Sequence, residues 1–350
     1  MPENPAISPD DPPSVARGFI TRGFAPIPVP PLSVDPSLPD WQNFRAKIED
    51  VEVQFPQAGN IGLLNGVSEK RLVVVRLNCV EARRAASRIL PFTEMICGRE
   101  SAPDSDWWYW VDESPTEAVR KFEEPLTVNR QNRPLLVELR STGAVTLVPP
   151  SVYPAEPENG YPNSERCVWS QSGKGEGSQV NINELTTAVA AVAAAALFGH
   201  YWPRGARLDA GRTLADILLR AGWDKTRCQK FLYAVCDAAE DSKFIDYNRY
   251  IHREEGPAPS SPIASASSVL VHLGQTGRVL SDCALGWLAI PIAANTDATA
   301  PATITTTERS TPADPPRLPP EFEWPAPPEE LAFHGLAGRF RLFFWCRGRR

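Results

Sequence analysis

The stretch Leu72-Val73-Val74-Val75-Arg76-Leu77 is almost wholly apolar and contains three consecutive valines. Such a run is typical of a buried β-strand. Glu81–Ile89 follows after a short gap and is rich in alanine and arginine, which favour a helix. The order predicts a strand–helix unit over 72–89, and Arg76 is the one charged residue inside its strand.

Further strands are predicted on both sides of this unit. Phe24–Val29 is interrupted by prolines, which places it at the edge of a sheet. A short helix is predicted over Ser14–Arg22. The remaining strand candidates are 61–64, 107–111, 135–139 and 144–148. Strands mixed with helices predict an α+β fold for residues 14–170.

A helical pattern begins near residue 180. Between Glu184 and Gly256 there is one proline, Pro203, so helices are free to form. Helices are predicted to 200, over 209–220 and from Asp224, with Asn183 and Asp224 as N-caps. Ten Lys/Arg balance ten Asp/Glu in Glu184–Gly256. We therefore expect a compact all-α domain over 180–256 without a basic stripe.

The overall composition excludes several classes of protein. The chain has 350 residues, of which 42% are hydrophobic and 22% charged, as in soluble globular proteins. A net charge of -6 argues against coating nucleic acid by bulk charge, although a local basic groove stays open. We find no apolar run of about 18 residues and no signal-peptide pattern, so we expect a cytoplasmic protein with no membrane partner.

Cysteine spacing indicates a reducing compartment. The seven cysteines are widely spaced and form no C-x-x-C pair, and the four histidines are scattered. We expect buried free thiols, without a disulfide framework or a structural zinc site.

Proline placement marks candidate boundaries. The chain contains 36 prolines, about twice the usual share of roughly 5%. Residues 1–13 are predicted to be a disordered leader and 291–320, rich in Ala, Thr and Pro, a disordered linker. Residues 257–290 are assigned only as partly helical.

Several short blocks follow one another along the chain: Arg22–Pro30, Trp41, Asn60–Gly62, Leu72–Ala82, Gly98–Ser101, Glu138–Arg140, Val148–Pro154, Trp202–Asp209 and Ala221–Trp223. Taken in this order, they resemble the bifunctional DNA primase/polymerase (prim-pol) domains of the archaeo-eukaryotic primase superfamily. The resemblance covers roughly residues 14–250. It implies an RRM-like prim-pol module over 14–170, followed by the small helical domain found in plasmid, phage and mobile-element proteins.

The resemblance implies template-directed nucleotidyl transfer with a DNA template or primer, nucleoside triphosphates and Mg²⁺ or Mn²⁺. In the family, two acids separated by one residue on a strand bind two metal ions together with a later carboxylate. A serine–histidine element binds the nucleotide phosphates. Here Arg76 and Asn78 occupy the acid positions, Ser105 and Asp106 the serine–histidine element, and Glu138 the third acid position.

These departures weaken the implied chemistry. Replacing two aspartates by Arg76 and Asn78 changes the formal charge of the site by about +3. An arginine offers no lone pair to a metal. We therefore expect impaired catalysis, with Glu138 and Asp106 as the remaining catalytic candidates. Glu138 and Asn78 are weak candidates as metal ligands, and the candidates for nucleotide binding are Ser105, Asp106 and Arg99.

Each of these residues also has a structural interpretation. Arg76 is expected to pair with Glu138 across the sheet, and Asn78 is a candidate cap for the helix near Val80. Asp106 is a candidate solvated loop residue. Trp107–Trp110 is expected to pack in the core more than to stack on bases. Gly173–Gly177 lacks the spacing of a P-loop and is expected to be a flexible loop.

The C-terminal segment carries a second resemblance. Trp324–Pro328 and Leu331–Gly338 are similar to the start of a helicase-like region that follows many prim-pol modules, assigned here to 321–339. The similarity stops near Arg339, and residues 340–350 form an aromatic, arginine-rich tail. We expect a truncated or shifted reading frame, with a genuine basic tail as the alternative. A helicase-like domain or protein is an expected partner.

The sequence thus predicts a prim-pol-like replication protein from a mobile element with a degraded metal site. The alternatives are a non-catalytic accessory that binds DNA or nucleotides, and a decayed fragment without function.

Overall fold

A computed structural model describes residues 11–67, 71–113, 118–127, 134–157, 160–170, 176–242, 244–253 and 269–290. The predicted linker 291–320, helicase-like start 321–339 and tail 340–350 lie outside the described residues. So do residues 1–10 of the predicted leader and residues 173–175 of the predicted glycine-rich loop.

The described part of the chain forms helices and strands in mixed order. The helices are α1 (Pro12–Thr21), α2 (Val51–Gln54), α3 (Val80–Ile89), α4 (Ile182–His200), α5 (Arg207–Arg220), α6 (Lys225–Ala239), α7 (Phe244–Ile251) and α8 (Gly274–Trp287). The strands are β1 (Pro26–Val29), β2 (Asn60–Leu64), β3 (Arg71–Leu77), β4 (Ile96–Arg99), β5 (Ala102–Val111), β6 (Val119–Glu123), β7 (Leu135–Arg140), β8 (Val145–Val148), β9 (Val152–Tyr153), β10 (Glu165–Trp169) and β11 (Ser178–Val180).

The strands form two sheets. A small antiparallel sheet has the order β1-β2-β8, so the proline-containing β1 lies at its edge as predicted. The large sheet has the order β6-β7-β3-β5-β4-β10-β9, with β11 pairing parallel to β5. The predicted α+β class is confirmed, and the strand predicted from Leu72–Leu77 lies inside the large sheet as β3.

One hydrophobic cluster joins the two sheets. It contains Ile27 of β1 and Ile61 of β2 together with Val74 of β3 and Trp108 and Trp110 of β5. Because side chains alternate along a strand, residues two apart point to the same face. Arg76 and Asp106 therefore lie on this inner face of the large sheet, directly beyond Val74 and Trp108.

The helices pack around α4. Its alanine-rich sequence lets neighbours approach closely, and α4 packs against α3, α6 and α8 and against β7. The N-cap of α4 is Asn181, whose side chain accepts from the amides of Asn183 and Glu184, so the predicted cap at Asn183 was wrong. Asp224 caps α6 as predicted, accepting from the amide of Arg227 at 2.9 Å.

Helix α4 has the length and apolar composition of a membrane-spanning segment, which the sequence analysis did not anticipate. Its mean hydropathy is 1.5 over a window that is 67% buried inside the protein. A buried core helix satisfies the same criterion, so α4 carries no argument for a membrane.

Helix α3 connects the sheet to the helices. It follows β3 directly, and salt bridges join it to α6: Arg84 to Glu240 at 2.5 Å and Arg88 to Asp237 at 2.6 Å. The carboxylate oxygen Oε1 of Glu81 in α3 lies 3.0 Å from Nδ1 of His200 at the end of α4. The described residues from 11 to 154 and from 164 to 290, which include the sheet module and helices α4 to α8, belong to one compact unit.

A second unit contains Ala155–Asn163 and Ala293–Arg350, of which the structure describes 155–157 and 160–163. Within it, the backbones of Glu156 and Tyr161 exchange two hydrogen bonds of 2.7 and 3.0 Å.

The cysteines of the described chain are free thiols. Five of them, Cys79, Cys97, Cys167, Cys228 and Cys236, are buried, which confirms the prediction for these five positions, and Cys283 is half-buried. Burial raises the pKa of Cys79 and of Cys228 to about 12, so both remain protonated at neutral pH.

The contact between α4 and α6 predicts an effect of a single methyl group. A Cβ at Gly199 would meet the side chain of Ala238 and lie 3.0 Å from its backbone carbonyl carbon, which cannot yield without moving a helix. Gly199→Ala should therefore lower the free energy of unfolding by about 1–3 kcal/mol. Urea unfolding would measure this loss of stability.

The matched control is Gly286→Ala in α8, where a Cβ meets nothing within 4 Å. Alanine favours a helix over glycine by up to about 1 kcal/mol, so the control should be neutral or stabilising. Equal shifts in both variants would contradict the packing argument.

Candidate functional site

Four charged residues of alternating sign form a row across the large sheet. Lys121 of β6 lies opposite Glu138 of β7, Glu138 opposite Arg76 of β3, and Arg76 opposite Asp106 of β5. Directly opposite residues in antiparallel strands place their side chains on one face, close to each other. The sheet therefore brings together three predicted site residues, Arg76, Asp106 and Glu138.

Arg76 is bonded to Asp106. Its Nε donates to Oδ1 at 2.7 Å and its Nη2 to Oδ2 at 2.9 Å, in a bidentate arrangement. The Asp106 side chain has no solvent exposure and that of Arg76 has 18%. Asp106 is thus a buried strand residue, and its interpretation as a solvated loop residue was wrong.

The partner predicted for Arg76 was Glu138, and that prediction was wrong. Glu138 is bonded to Arg140, two residues along the same strand, whose Nε donates to Oε1 at 2.6 Å. Arg76 and Glu138 are neighbours in register, but each takes a different partner. Both carboxylates of the row are therefore held by a guanidinium.

Positive charge is crowded at this point of the sheet. Burial disfavours the charged guanidinium of Arg76, but the charge of Asp106 and its hydrogen bonds to the guanidinium outweigh burial and keep the pKa of Arg76 well above its ordinary value. Burial and the nearby charge of Arg76 lower the pKa of Arg140. Both guanidiniums remain protonated at any physiological pH.

Tyr153 and Arg99 complete the cluster. The Tyr153 hydroxyl accepts from Nη2 of Arg76 at 3.0 Å and lies 3.3 Å from Oδ2 of Asp106. The guanidinium carbon of Arg99 lies 4.5 Å from the centre of the Tyr153 ring, and its Nη1 donates to the Pro154 carbonyl at 3.1 Å. The ring of Tyr153 thus lies beside two arginines. We call Arg76, Asp106, Tyr153, Glu138 and Arg140 the ion-pair network.

Two blocks of the sequence resemblance position Tyr153. Asn60 donates to the carbonyls of Ser33 and Val152 at 2.9 and 2.8 Å and accepts from the amide of Val152 at 2.8 Å. Ser151 accepts from the amide of Ile61 at 2.8 Å and donates to its carbonyl at 3.0 Å. These buried bonds fix the segment that leads into Tyr153.

The other predicted site residues lie apart from the network. Ser105 adjoins Asp106 on β5 and so points to the opposite face. Asn78 follows the end of β3. Its side-chain nitrogen Nδ2 lies 3.5 Å from the Arg76 carbonyl oxygen, at the limit of a hydrogen bond. Cys79 is the N-cap residue of α3, which has no side-chain cap, so the predicted cap by Asn78 was wrong.

The residues at the implied metal site do not fit a divalent cation. Arg76 stands at the first acid position, and Asp106 and Glu138 already accept from guanidiniums. Among the described residues, no three His, Cys, Asp or Glu side chains are placed to hold a metal ion together. Two unit positive charges about 4 Å apart repel each other by about 4 kcal/mol at an effective dielectric constant near 20. A divalent cation at that distance from a guanidinium doubles the repulsion.

The aromatic run predicted for the core does lie there. Trp108, Tyr109 and Trp110 are buried, and Trp107 is half-buried. The indole Nε1 of Trp108 donates to the Cys97 thiol at 3.3 Å, and the Tyr109 hydroxyl donates to the Pro91 carbonyl at 2.8 Å. Both polar ends are satisfied internally, as core aromatics require.

No role was predicted for Arg140 or Tyr153 from the sequence. Arg140 had a usable signal, because it stands two residues from Glu138 on a strand and shares its face. Tyr153 lies in the block Val148–Pro154, but no local pattern pairs it with Asp106, which is 47 residues away along the chain.

Comparison with protein-family models finds no match for this chain, and comparison with curated proteins finds none either.

Proposed function

We propose that this chain is a cytoplasmic DNA primase/polymerase-like replication protein that binds DNA without extending it. The proposal combines the ordered sequence blocks with the α+β architecture in which they lie. The observation that carries it is the bidentate bond between Arg76 and Asp106 at the position implied for the metal-binding acids.

The charges of the network support loss of catalysis. Metal affinity depends on the number of charged oxygen ligands, and the network holds two carboxylates against two guanidiniums. Releasing either carboxylate for a metal ion would leave an arginine unpaired in a largely buried place, which is costly. We therefore derive no catalytic step from this site.

Primer extension tests the proposal. With a primed template, deoxynucleoside triphosphates and Mg²⁺ or Mn²⁺, the full chain should incorporate no more nucleotide than it does with EDTA. The same protein should shift a labelled primer–template in EDTA, because arginine and lysine contacts to phosphate need no metal.

Two results would reject it. Metal-dependent incorporation that is lost in Glu138→Gln would establish a working catalytic site. Absence of both incorporation and DNA binding would favour a decayed fragment without function.

A further inference from the structure

A cavity of about 490 Å³ is lined by residues of α3, α4 and α6. Its apolar lining residues include Ile89 of α3 and Ala188 and Ala191 of α4. Trp223 and Phe231 supply its aromatic lining. The volume lies in the range of small-ligand sites.

The rim of this cavity is cationic. Arg88, Arg227 and Lys230 line it, against one carboxylate, Glu184. Arg88 is bonded to Asp237, but within the described chain the side chains of Arg227 and Lys230 form no ion pair with a carboxylate. This local excess of positive charge contrasts with the net charge of -6 of the whole chain. Charge complementarity favours an anionic ligand.

A flat cationic surface covers the aromatic lining. The guanidinium carbon of Arg227 lies 3.8 Å from the centre of the Trp223 ring, so the two groups stack. Trp223 is buried and meets Phe231 edge-on at 5.6 Å, which holds the stack in place. Arginine planes and aromatic rings are the surfaces on which proteins stack unpaired bases.

We propose that this cavity binds a segment of single-stranded nucleic acid, with one base against the Arg227–Trp223 stack and the flanking phosphates at Arg227 and Lys230. The inference rests on the proposed function as a DNA-binding protein and assigns the place of binding. A flat apolar body with anions on either side is the chemistry of a nucleotide unit. An acidic peptide would match the charges but not the flat surface.

Fluorescence anisotropy with a labelled oligo-dT and the full chain, in EDTA, tests this site. Arg227→Ala with Lys230→Ala should weaken binding by about tenfold or more, because it removes the stacking surface of one base together with two phosphate contacts. The slope of log K against log salt should fall by about 1.4, or about 0.7 for each lost phosphate contact. Thr187→Trp, which fills the cavity from an exposed position without changing charge, should weaken binding comparably.

The matched control removes two exposed cations elsewhere. Arg212→Ala with Arg249→Ala changes the charge equally on α5 and α7, outside the cavity, and should alter binding by less than about threefold. Equal losses in the two double variants, or tight binding by Thr187→Trp, would overturn the site while DNA binding stands. Displacement by poly-glutamate as effective as by unlabelled oligo-dT would assign the cavity to an acidic polypeptide instead. No binding by the unaltered chain would reject both this site and the proposed function.

Discussion

Arg76→Met should lower the free energy of unfolding by about 3–5 kcal/mol. Methionine fills much of the space of arginine but leaves the Asp106 carboxylate, which has no solvent exposure, without its bidentate partner. The Tyr153 hydroxyl, 3.3 Å away, is the remaining contact and does not compensate a charge. Urea unfolding followed by tryptophan fluorescence would measure the loss as a lower midpoint at unchanged slope.

Two further variants separate the buried pair from a general effect of losing an arginine. Arg76→Met with Asp106→Leu should recover most of the stability, because apolar residues often replace a buried ion pair without loss. Arg17→Met breaks the exposed pair with Glu52, whose side chains are 47% and 61% exposed, and should cost at most about 1 kcal/mol. If Arg76→Met costs no more than Arg17→Met, the ion-pair network does not stabilise the fold.

Asp241→Ala should have an effect of similar size on the helical part. The Asp241 side chain has no solvent exposure and accepts from Trp202 Nε1 at 3.1 Å, Arg207 Nη1 at 3.2 Å and the Tyr247 hydroxyl at 2.9 Å. Alanine removes this acceptor from the Trp202 indole and from the charged Arg207 guanidinium, while the Tyr247 hydroxyl keeps the Arg207 carbonyl, 2.9 Å away, as an acceptor. We expect a loss of about 3–5 kcal/mol, measured by the same urea unfolding.

The controls for Asp241 separate its charge from its shape. Asp241→Asn keeps one oxygen acceptor and should cost less than Asp241→Ala. Asp209→Ala removes an exposed aspartate from the first turn of α5 and should cost at most about 1 kcal/mol, the usual size of a helix-dipole contact. A loss for Asp241→Ala as small as that for Asp209→Ala would mean that water satisfies the donors.

The Asp241 cluster gives a structural reason for one block of the sequence resemblance. Trp202 and Arg207 belong to the block Trp202–Asp209, and both donate to Asp241 at the end of α6. Asp241 stands 34 residues beyond Arg207, outside any local pattern. Local sequence therefore singles out Trp202 and Arg207 without identifying the acceptor that they share, because Asp241 is distant along the chain.

Local patterns predicted most of the secondary structure. Apolar runs identified β3 and β5, proline placement identified β1 as an edge strand, and Asp224 was recognised as a cap, because these features depend on a residue and its near neighbours. The same patterns placed Arg76 and Glu138 on strands, but the strand predicted over 107–111 began one residue after Asp106, which was interpreted as a loop residue. They did not choose the partner of Arg76, because two carboxylates lie opposite it and the choice depends on side-chain packing from three strands and on Tyr153.

The distribution of charge in the helical part shows the same division. Its sequence contains equal numbers of acidic and basic residues, which predicts no basic surface. Folding engages the carboxylates of Asp216, Asp237 and Asp241 in ion pairs, while the side chains of Arg227 and Lys230 form no ion pair with a carboxylate in the described chain. Composition therefore fixes the sum of the charges. Helix packing fixes where they remain uncompensated, because ion pairs join residues that are distant along the chain and close only in the folded protein.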